Sequence, residues 1–119
     1  MKGDLKMGIS SLNREGGKLF TVDNREFSYI HIKDLVEGKA YPLFGCFVSK
    51  DNGFGEGAVL ITAEYNVNVP SRYVQEIREI CANPEWVKQI NDGKAAFKYT
   101  IGYSEKYKKD MYLLTWIDR

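Results

Sequence analysis

The sequence predicts a mainly β fold that is interrupted by one helical segment, and three observations support this prediction. First, five runs are rich in β-branched and aromatic residues, as strands are. These runs are 27–32, 41–48, 58–63, 95–103 and 111–118. Second, apolar residues recur every three or four positions between residues 70 and 92, which is the helical period. Third, residues that favour turns separate the runs.

The first half of the chain carries the first three predicted strands. The run 27–32 alternates apolar with polar residues, and residues 19–22 form an additional β-like stretch before it. Pro42 removes a backbone donor near the start of the second run, where strands tolerate this loss. Asn52 and Gly53 predict a hairpin turn before the third run, because this pair accepts the positive φ values that such turns need.

The helical segment is predicted in two pieces. Val74, Ile77 and Cys81 recur at three- and four-residue steps and predict a first amphipathic helix after Pro70. The order Asn-Pro-Glu at residues 83–85 predicts a second start, with a capping side chain, a proline at the first helical position and an acid in the first turn.

Five strands with a helix between the third and the fourth are the arrangement of the oligonucleotide-binding (OB) barrel. A β-sandwich would instead use about seven evenly spaced strands without a central helical insertion. We therefore expect a five-stranded OB barrel. A length of 119 residues, 44% of them hydrophobic, is enough for one core. Residues 1–119 are expected to form a single domain, in which residues 1–17 are only weakly patterned.

The chain shows no pattern of export or of membrane insertion. Residues 1–17 lack the apolar run and cleavage-type end of a secretory signal, and no run reaches the ~18 apolar residues of a membrane span. Cys46 and Cys81 fall in a strand pattern and a helix pattern, which is typical of buried thiols in a reducing compartment. We expect a cytoplasmic protein with no membrane partner.

The sequence offers no constellation of catalytic or metal-binding residues. His31 is the only histidine, and its place in an alternating strand is typical of a structural residue. A zinc site needs several cysteine or histidine ligands, and the two cysteines here are not in a Cys-x-x-Cys spacing. We expect neither an enzyme nor a bound metal or cofactor.

The loop between the last two runs combines lysines with tyrosines. Lysines neutralise phosphates and tyrosine rings stack on unpaired bases, so this loop carries both parts of single-strand recognition. The candidate DNA-binding residues of this hairpin are Lys98, Tyr103, Lys106, Tyr107, Lys108 and Lys109. Tyr99 shares a strand face with Phe97 and is expected in the core. The alternative is an ordinary solvated turn, which is the more frequent role of a charged hairpin loop.

A second candidate loop is rich in glycine and covers residues 53–57. It joins strand to strand, whereas a dinucleotide-binding loop joins a strand to a helix, so we do not expect it to bind a dinucleotide. Phe54 is interpreted as a ring that closes over a ligand, and Lys50 as a phosphate contact. The outward face of the second and third strands completes the expected surface. The alternative role of the loop is a mobile hairpin tip.

Four ordered elements carry a resemblance to a known family. They are the strand Tyr-Pro-Leu-Phe-Gly-Cys-Phe-Val from residue 41, the hairpin Asn-Gly-Phe-Gly-Glu-Gly from residue 52, the helical insertion 70–92 and the closing hairpin with Tyr-Ser-Glu-Lys-Tyr-Lys-Lys from residue 103. In this order they resemble the small OB-fold single-stranded-DNA-binding proteins of lactococcal siphophages, over residues 18–119.

The resemblance implies binding of single-stranded DNA without sequence preference, in support of phage DNA replication and recombination. It also implies a homodimer in the host cytoplasm, with phage or host recombination proteins as further partners. Residues 114–119 are patterned as strand, unlike the acidic tail by which bacterial members of the wider class recruit partners, so we expect such contacts to use the folded surface. The net charge of +1 is low for a nucleic-acid-binding domain and favours the alternative, an OB-fold protein–protein adaptor without nucleic-acid binding.

Overall fold

The structure is a computed structural model, and it describes residues 19–49 and 55–119. Within these residues the chain forms seven strands and two short α-helices. The strands are β1 (Ser28–His31), β2 (Tyr41–Pro42), β3 (Gly45–Ser49), β4 (Gly57–Ile61), β5 (Tyr65–Val69), β6 (Ala95–Ser104) and β7 (Lys109–Asp118). The helices are α1 (Val74–Cys81) and α2 (Pro84–Asn91), and single 3-10 turns cover Ile32–Asp34 and Ser71–Tyr73.

The described strands form two sheets. One sheet has the order β1-β5-β4-β3 and the other the order β2-β6-β7. β1 runs parallel to β5, and the other strand pairs are antiparallel. The prediction of a mainly β fold with helices ahead of a final hairpin is therefore confirmed.

The chain passes from one sheet to the other between two consecutive residues. The backbone N–H of Leu43 donates to the carbonyl of Ala95, at 3.0 Å, in the sheet of β6. The N–H of Phe44 donates to the carbonyl of Ile61, at 2.8 Å, in the sheet of β4. The run 41–48, predicted as one strand, is therefore divided by a bend into β2 and β3, which belong to different sheets, and Leu43 is buried at the bend.

The core lies between the two sheets and the helices. The largest side chains that are fully enclosed include Phe97 of β6, Leu60 of β4 and Ile77 of α1. Their burial removes apolar surface from water in three different elements at once, which is the main favourable contribution to folding. An added Cβ at Gly45 of β3 would lie 3.0 Å from the Ile61 side chain and 3.1 Å from the Phe20 side chain, so a larger residue there would require its neighbours to shift.

Both predicted helices form, each for the expected reason. Ile77 and Ile80 of α1 are buried, in agreement with the predicted apolar face. At the start of α2, the side-chain oxygen of Asn83 accepts hydrogen bonds from the N–H groups of Glu85 and Trp86, at 3.0 and 3.2 Å. Pro84 is the first residue of α2. The predicted cap and proline signal is confirmed.

β5 was not predicted, because its sequence Tyr-Asn-Val-Asn-Val alternates valines with asparagines, which are rare in strands. The tertiary structure compensates for Asn66, which is buried. Its side-chain amide donates to the carbonyls of Asn24 and Phe27, and its oxygen accepts from the side-chain amide of Asn24. These bonds satisfy a polar group that would otherwise be costly to bury.

Residues 19–22, by contrast, are not a strand although their composition is β-like. Phe20 is buried against Gly45. The backbone on either side of Phe20 is held by one side chain, because Asn91 of α2 donates to the carbonyl of Leu19 and accepts from the N–H of Thr21. The segment is therefore tied to a helix instead of pairing with a sheet.

The outer edge of β7 is covered by side chains. Tyr73 accepts a hydrogen bond from the N–H of Leu114, at 2.9 Å, through its hydroxyl group. Arg72 donates to the carbonyl of Tyr112. Within the described residues no strand pairs with this edge, and the two sheets do not close into a barrel. The described residues thus form seven strands in two open sheets, whereas one barrel of five strands was predicted.

We predict that Tyr73→Phe lowers the free energy of unfolding by about 1–2 kcal/mol, because the N–H of Leu114 loses its partly buried acceptor. Urea denaturation of the purified protein measures this change. Tyr29→Phe is the matched control, because Tyr29 is exposed on β1. Equal stability of the two variants would show that the Tyr73 hydroxyl does not stabilise the edge of β7.

Candidate nucleic-acid interface

The final hairpin projects from the body of the protein. β6 and β7 pair over ten residues each, from Ala95 opposite Asp118 to Ser104 opposite Lys109. Along one face of β6 the exposed fraction rises from 4% at Tyr99 to 43% at Ile101 and 58% at Tyr103. The hairpin therefore leaves the core between Tyr99 and Ile101, and its distal part is a free ribbon.

The segment before β2 holds β6 at the point where the hairpin leaves the core. The hydroxyl of Tyr99 donates to the buried carbonyl of Leu35 at 2.8 Å. The N–H of Gly38 donates to the carbonyl of Tyr99 at 2.8 Å, and the Glu37 carboxylate accepts from the N–H of Ile101 at 2.9 Å. Burial, with a contribution from Glu37, raises the pKa of Tyr99, so its hydroxyl remains a donor. The expected core position of Tyr99 is confirmed.

The tip of the hairpin is the turn 105–108 together with the flanking residues Ser104 and Lys109, and its Tyr107 ring lies near two lysine side chains. The N–H of Tyr107 donates to the Ser104 hydroxyl at 3.2 Å. The Lys106 and Lys109 ammonium nitrogens lie 5.3 and 6.0 Å from the centre of the Tyr107 ring, within the range of cation–π attraction. Tyr107 is 59% exposed, so a further ring can approach it.

The lysines of the tip are available to anions. Within the described part of the chain, ion pairs join Arg25 to Asp23, Arg78 to Glu56 and Lys88 to Asp92, and none involves the tip. The tip lysines Lys106, Lys108 and Lys109 outnumber the neighbouring acids Glu105 and Asp110 by one. The local charge is thus positive but small.

The structure brings most of the predicted site residues together and separates one. Tyr103, Lys106, Tyr107, Lys108 and Lys109 lie within the last two residue pairs and the turn of the hairpin. Lys98 lies opposite Thr115, on the other face of β6 from Tyr103 and nearer the body.

Of the other two parts of the predicted surface, one lies outside the described residues and the other is buried at two positions. Lys50 and Phe54 lie outside the described residues, as does most of the loop that carries them. On the outward face of β4, Val59 and Ile61 are both buried. This face is therefore not an open binding surface at these two positions. Strand alternation predicted which residues share the face, but it does not tell which elements cover that face.

Sequence patterns did not predict the aromatic contact by which Tyr112 of the hairpin meets β1. Tyr112 lies opposite Ile101 and diagonal to Tyr103, on the same face of the hairpin. The rings of Tyr112 and His31 pack in a T-shaped arrangement at a centroid distance of 5.8 Å. Alternation along β7 could have placed Tyr112 on this face, but nothing in the sequence indicates that β1 lies beside it.

His31 has a structural role at the end of β1, as its strand position predicted. Its Nδ1 accepts a hydrogen bond from the N–H of Lys33, and the Asp34 carboxylate accepts from the N–H of His31. These two bonds cap the 3-10 turn Ile32–Asp34.

Residues 19–49 and 55–119 hold neither a side-chain cluster suited to a metal ion nor a helix suited to crossing a membrane. They contain no group of three or more His, Cys, Asp or Glu side chains that could hold a metal ion. None of their helices has the length and apolar character that a membrane crossing requires.

Comparisons of the chain with protein families, with curated proteins and with solved structures found no match. Function is therefore inferred from the residues of this chain.

We predict that Lys108→Gly raises the free energy of unfolding by about 0.5–1 kcal/mol. Lys108 has a φ of +53°, which costs roughly 1–2 kcal/mol for a residue with a Cβ, and the greater chain entropy of glycine offsets part of the gain. Thermal or urea unfolding measures the change.

Lys106→Gly is the control for this prediction, because it removes the same charge in the same turn at a residue without positive φ. It should lower stability or leave it unchanged. A gain of equal size in both variants would mean that charge, and not backbone strain, is responsible.

Proposed function

We propose that this protein binds single-stranded DNA without sequence preference, and that the tip of the final hairpin makes the main contacts. The observation that carries the proposal is the exposed Tyr107 ring flanked by the Lys106 and Lys109 ammonium groups at the end of a projecting ribbon. Tyr103 lies beside this tip on the same hairpin and supplies a second exposed ring.

The chemistry of the tip suits unpaired strands. A base that stacks on an exposed tyrosine contributes about 1–3 kcal/mol, and every base has a face that can do so. Lysines contact phosphates as point charges and carry no sequence information. Rings reach base faces only where the bases are not already stacked in a duplex, so single strands are favoured over double strands.

The arrangement of the sheets supports an OB-like interpretation of the fold. Segment 41–49 contributes to both sheets, and α1 and α2 precede the final two strands. In OB folds the loop between the last two strands is one of the two that bind oligonucleotides, and here that loop is the tip. By the resemblance described above, we propose a homodimer that acts in phage DNA replication and recombination in the host cytoplasm, together with recombination proteins.

A protein–protein adaptor is the second candidate, and one cleft favours it. A cleft of about 290 Å³ lies between the helices and the base of the hairpin. Trp86 and Trp116 line it, as do the carboxylates Glu76 and Glu79. Trp86 is exposed there, and exposed tryptophans are frequent anchors in protein interfaces.

A salt titration with fluorescent oligo-dT separates the two candidates. DNA binding through the tip predicts measurable affinity at low salt and a linear fall of log K with log salt concentration, with a slope of about −0.7 for each phosphate neutralised. Absence of oligo-dT binding at low salt would contradict the proposal of DNA binding and would favour the protein–protein adaptor.

We predict that Tyr107→Ala weakens oligo-dT binding by about 1–3 kcal/mol, roughly 5- to 150-fold, at all salt concentrations. Tyr107→Phe keeps the ring and should bind as the parent protein does. Tyr29→Ala is the matched control, since Tyr29 is equally exposed but lies on β1. If Tyr107→Ala and Tyr29→Ala lose the same affinity, the tip does not provide the stacking ring.

We also predict that Lys108→Ala/Lys109→Ala flattens the salt slope by about 1.4, because two phosphate contacts are lost. Lys33→Ala/Lys94→Ala removes the same charge from exposed positions outside the tip and should leave the slope nearly unchanged. Equal slopes for the two double variants would place the phosphate contacts elsewhere on the protein.

A further inference from the structure

The two cysteines of the chain, 35 positions apart, meet in the folded protein. Cys46 lies on β3 and is buried, and Cys81 is the last residue of α1 and half-buried. Both are free thiols. The Cys81 thiol donates to the backbone carbonyl of Cys46 at 3.8 Å, and an interaction between the two thiols shifts the pKa of both. A strand and a helix thus place two sulfur atoms side by side.

The pair opens to solvent on one side. A cleft of about 980 Å³ is lined by both cysteines, by Phe47 of β3 and by Arg78, one turn before Cys81 on α1. Cys46 is almost completely enclosed, whereas part of Cys81 is accessible. A small reagent can therefore reach Cys81 first.

The two thiols also differ in acidity. The hydrogen bond with Cys81, together with burial, raises the pKa of the Cys46 thiol. The same bond, in which the Cys46 S–H donates, lowers the pKa of Cys81 against the effect of burial. Since the thiolate is the nucleophile in thiol chemistry, Cys81 is the reactive member of the pair.

We propose that Cys46 and Cys81 are a modification site that forms a reversible disulfide by exchange with a low-molecular-weight disulfide such as oxidised glutathione. The Cys81 thiolate attacks one sulfur of the reagent and releases one glutathione thiolate, which takes up a proton. The Cys46 thiol then gives up its proton, attacks the Cys81 sulfur of the mixed disulfide and releases the second glutathione. Two protein thiols are oxidised, and one glutathione disulfide is reduced to two thiols.

The consequence is a covalent link between β3 and α1. The link closes a loop between residues 35 positions apart, which reduces the freedom of the unfolded chain. The oxidised protein should therefore have a Tm roughly 10 °C higher than the reduced protein. This site lies apart from the hairpin tip, so its formation can be tested without reference to DNA.

The experiment exposes the folded, reduced protein to glutathione buffers of graded oxidised-to-reduced ratio and then blocks the remaining thiols with iodoacetamide. Intact-mass and peptide-mass spectrometry should show an unlabelled monomer with residues 46 and 81 in one cross-linked peptide. Excess dithiothreitol should restore two labelled cysteines. Two labelled thiols at every ratio would overturn the proposal, as would a glutathione adduct that accumulates on the parent protein or a disulfide between two chains.

Two single variants test the order of the steps. Cys46→Ala should accumulate the glutathione adduct on Cys81, because the second attack is removed. Cys81→Ala should keep Cys46 as a free thiol under native conditions, because Cys46 is buried. If the Cys81→Ala protein, with native circular dichroism, forms the adduct as readily as Cys46→Ala, then Cys81 is not the entry point. The measurements on the parent protein stand even where a variant does not fold.

Discussion

The backbone at Leu43 and Phe44 is the constraint on which the rest of the structure depends. Their consecutive N–H groups donate to carbonyls of two different sheets, at 3.0 and 2.8 Å. Because a backbone amide that is buried without an acceptor is costly, both bonds are needed and the chain must bend there. The bend sets one sheet against the other and encloses the core between them. On the far side, Arg72 and Tyr73 satisfy the edge of β7 with side chains instead of a strand.

This arrangement leaves β6 and β7 free to extend beyond the core as a ribbon. Segment 35–38 forms hydrogen bonds with Tyr99 and with the N–H of Ile101, and these bonds fix the position of the ribbon where it leaves the core. A binding group on a rigid element loses less conformational entropy on binding than one on a loose loop. The tip with Tyr107 is thus presented at a defined place, and the acidic cleft with Trp86 lies at the other end of the same hairpin.

Much of the fold follows from local patterns, and the exceptions have physical reasons. The start of α2 was predictable because Asn83 and Pro84 act on their own neighbours in sequence. β5 was not, because Asn66 is tolerated in a strand only through bonds to residues about 40 positions away. The closed barrel was expected from the number of strands and the position of the helical segment, and neither reports whether the last edge pairs with a strand or with side chains.

The sequence by itself determined the mainly β class, the two helices, the final hairpin and the exposure of Tyr103 and Tyr107, because each depends on periodicity or turn chemistry within a short stretch. Only the tertiary structure decided which side chains share a surface. It separated Lys98 from the tip, placed His31 beside Tyr112 and brought Cys46 against Cys81. These relations depend on how distant segments pack against one core, and no local pattern encodes that packing.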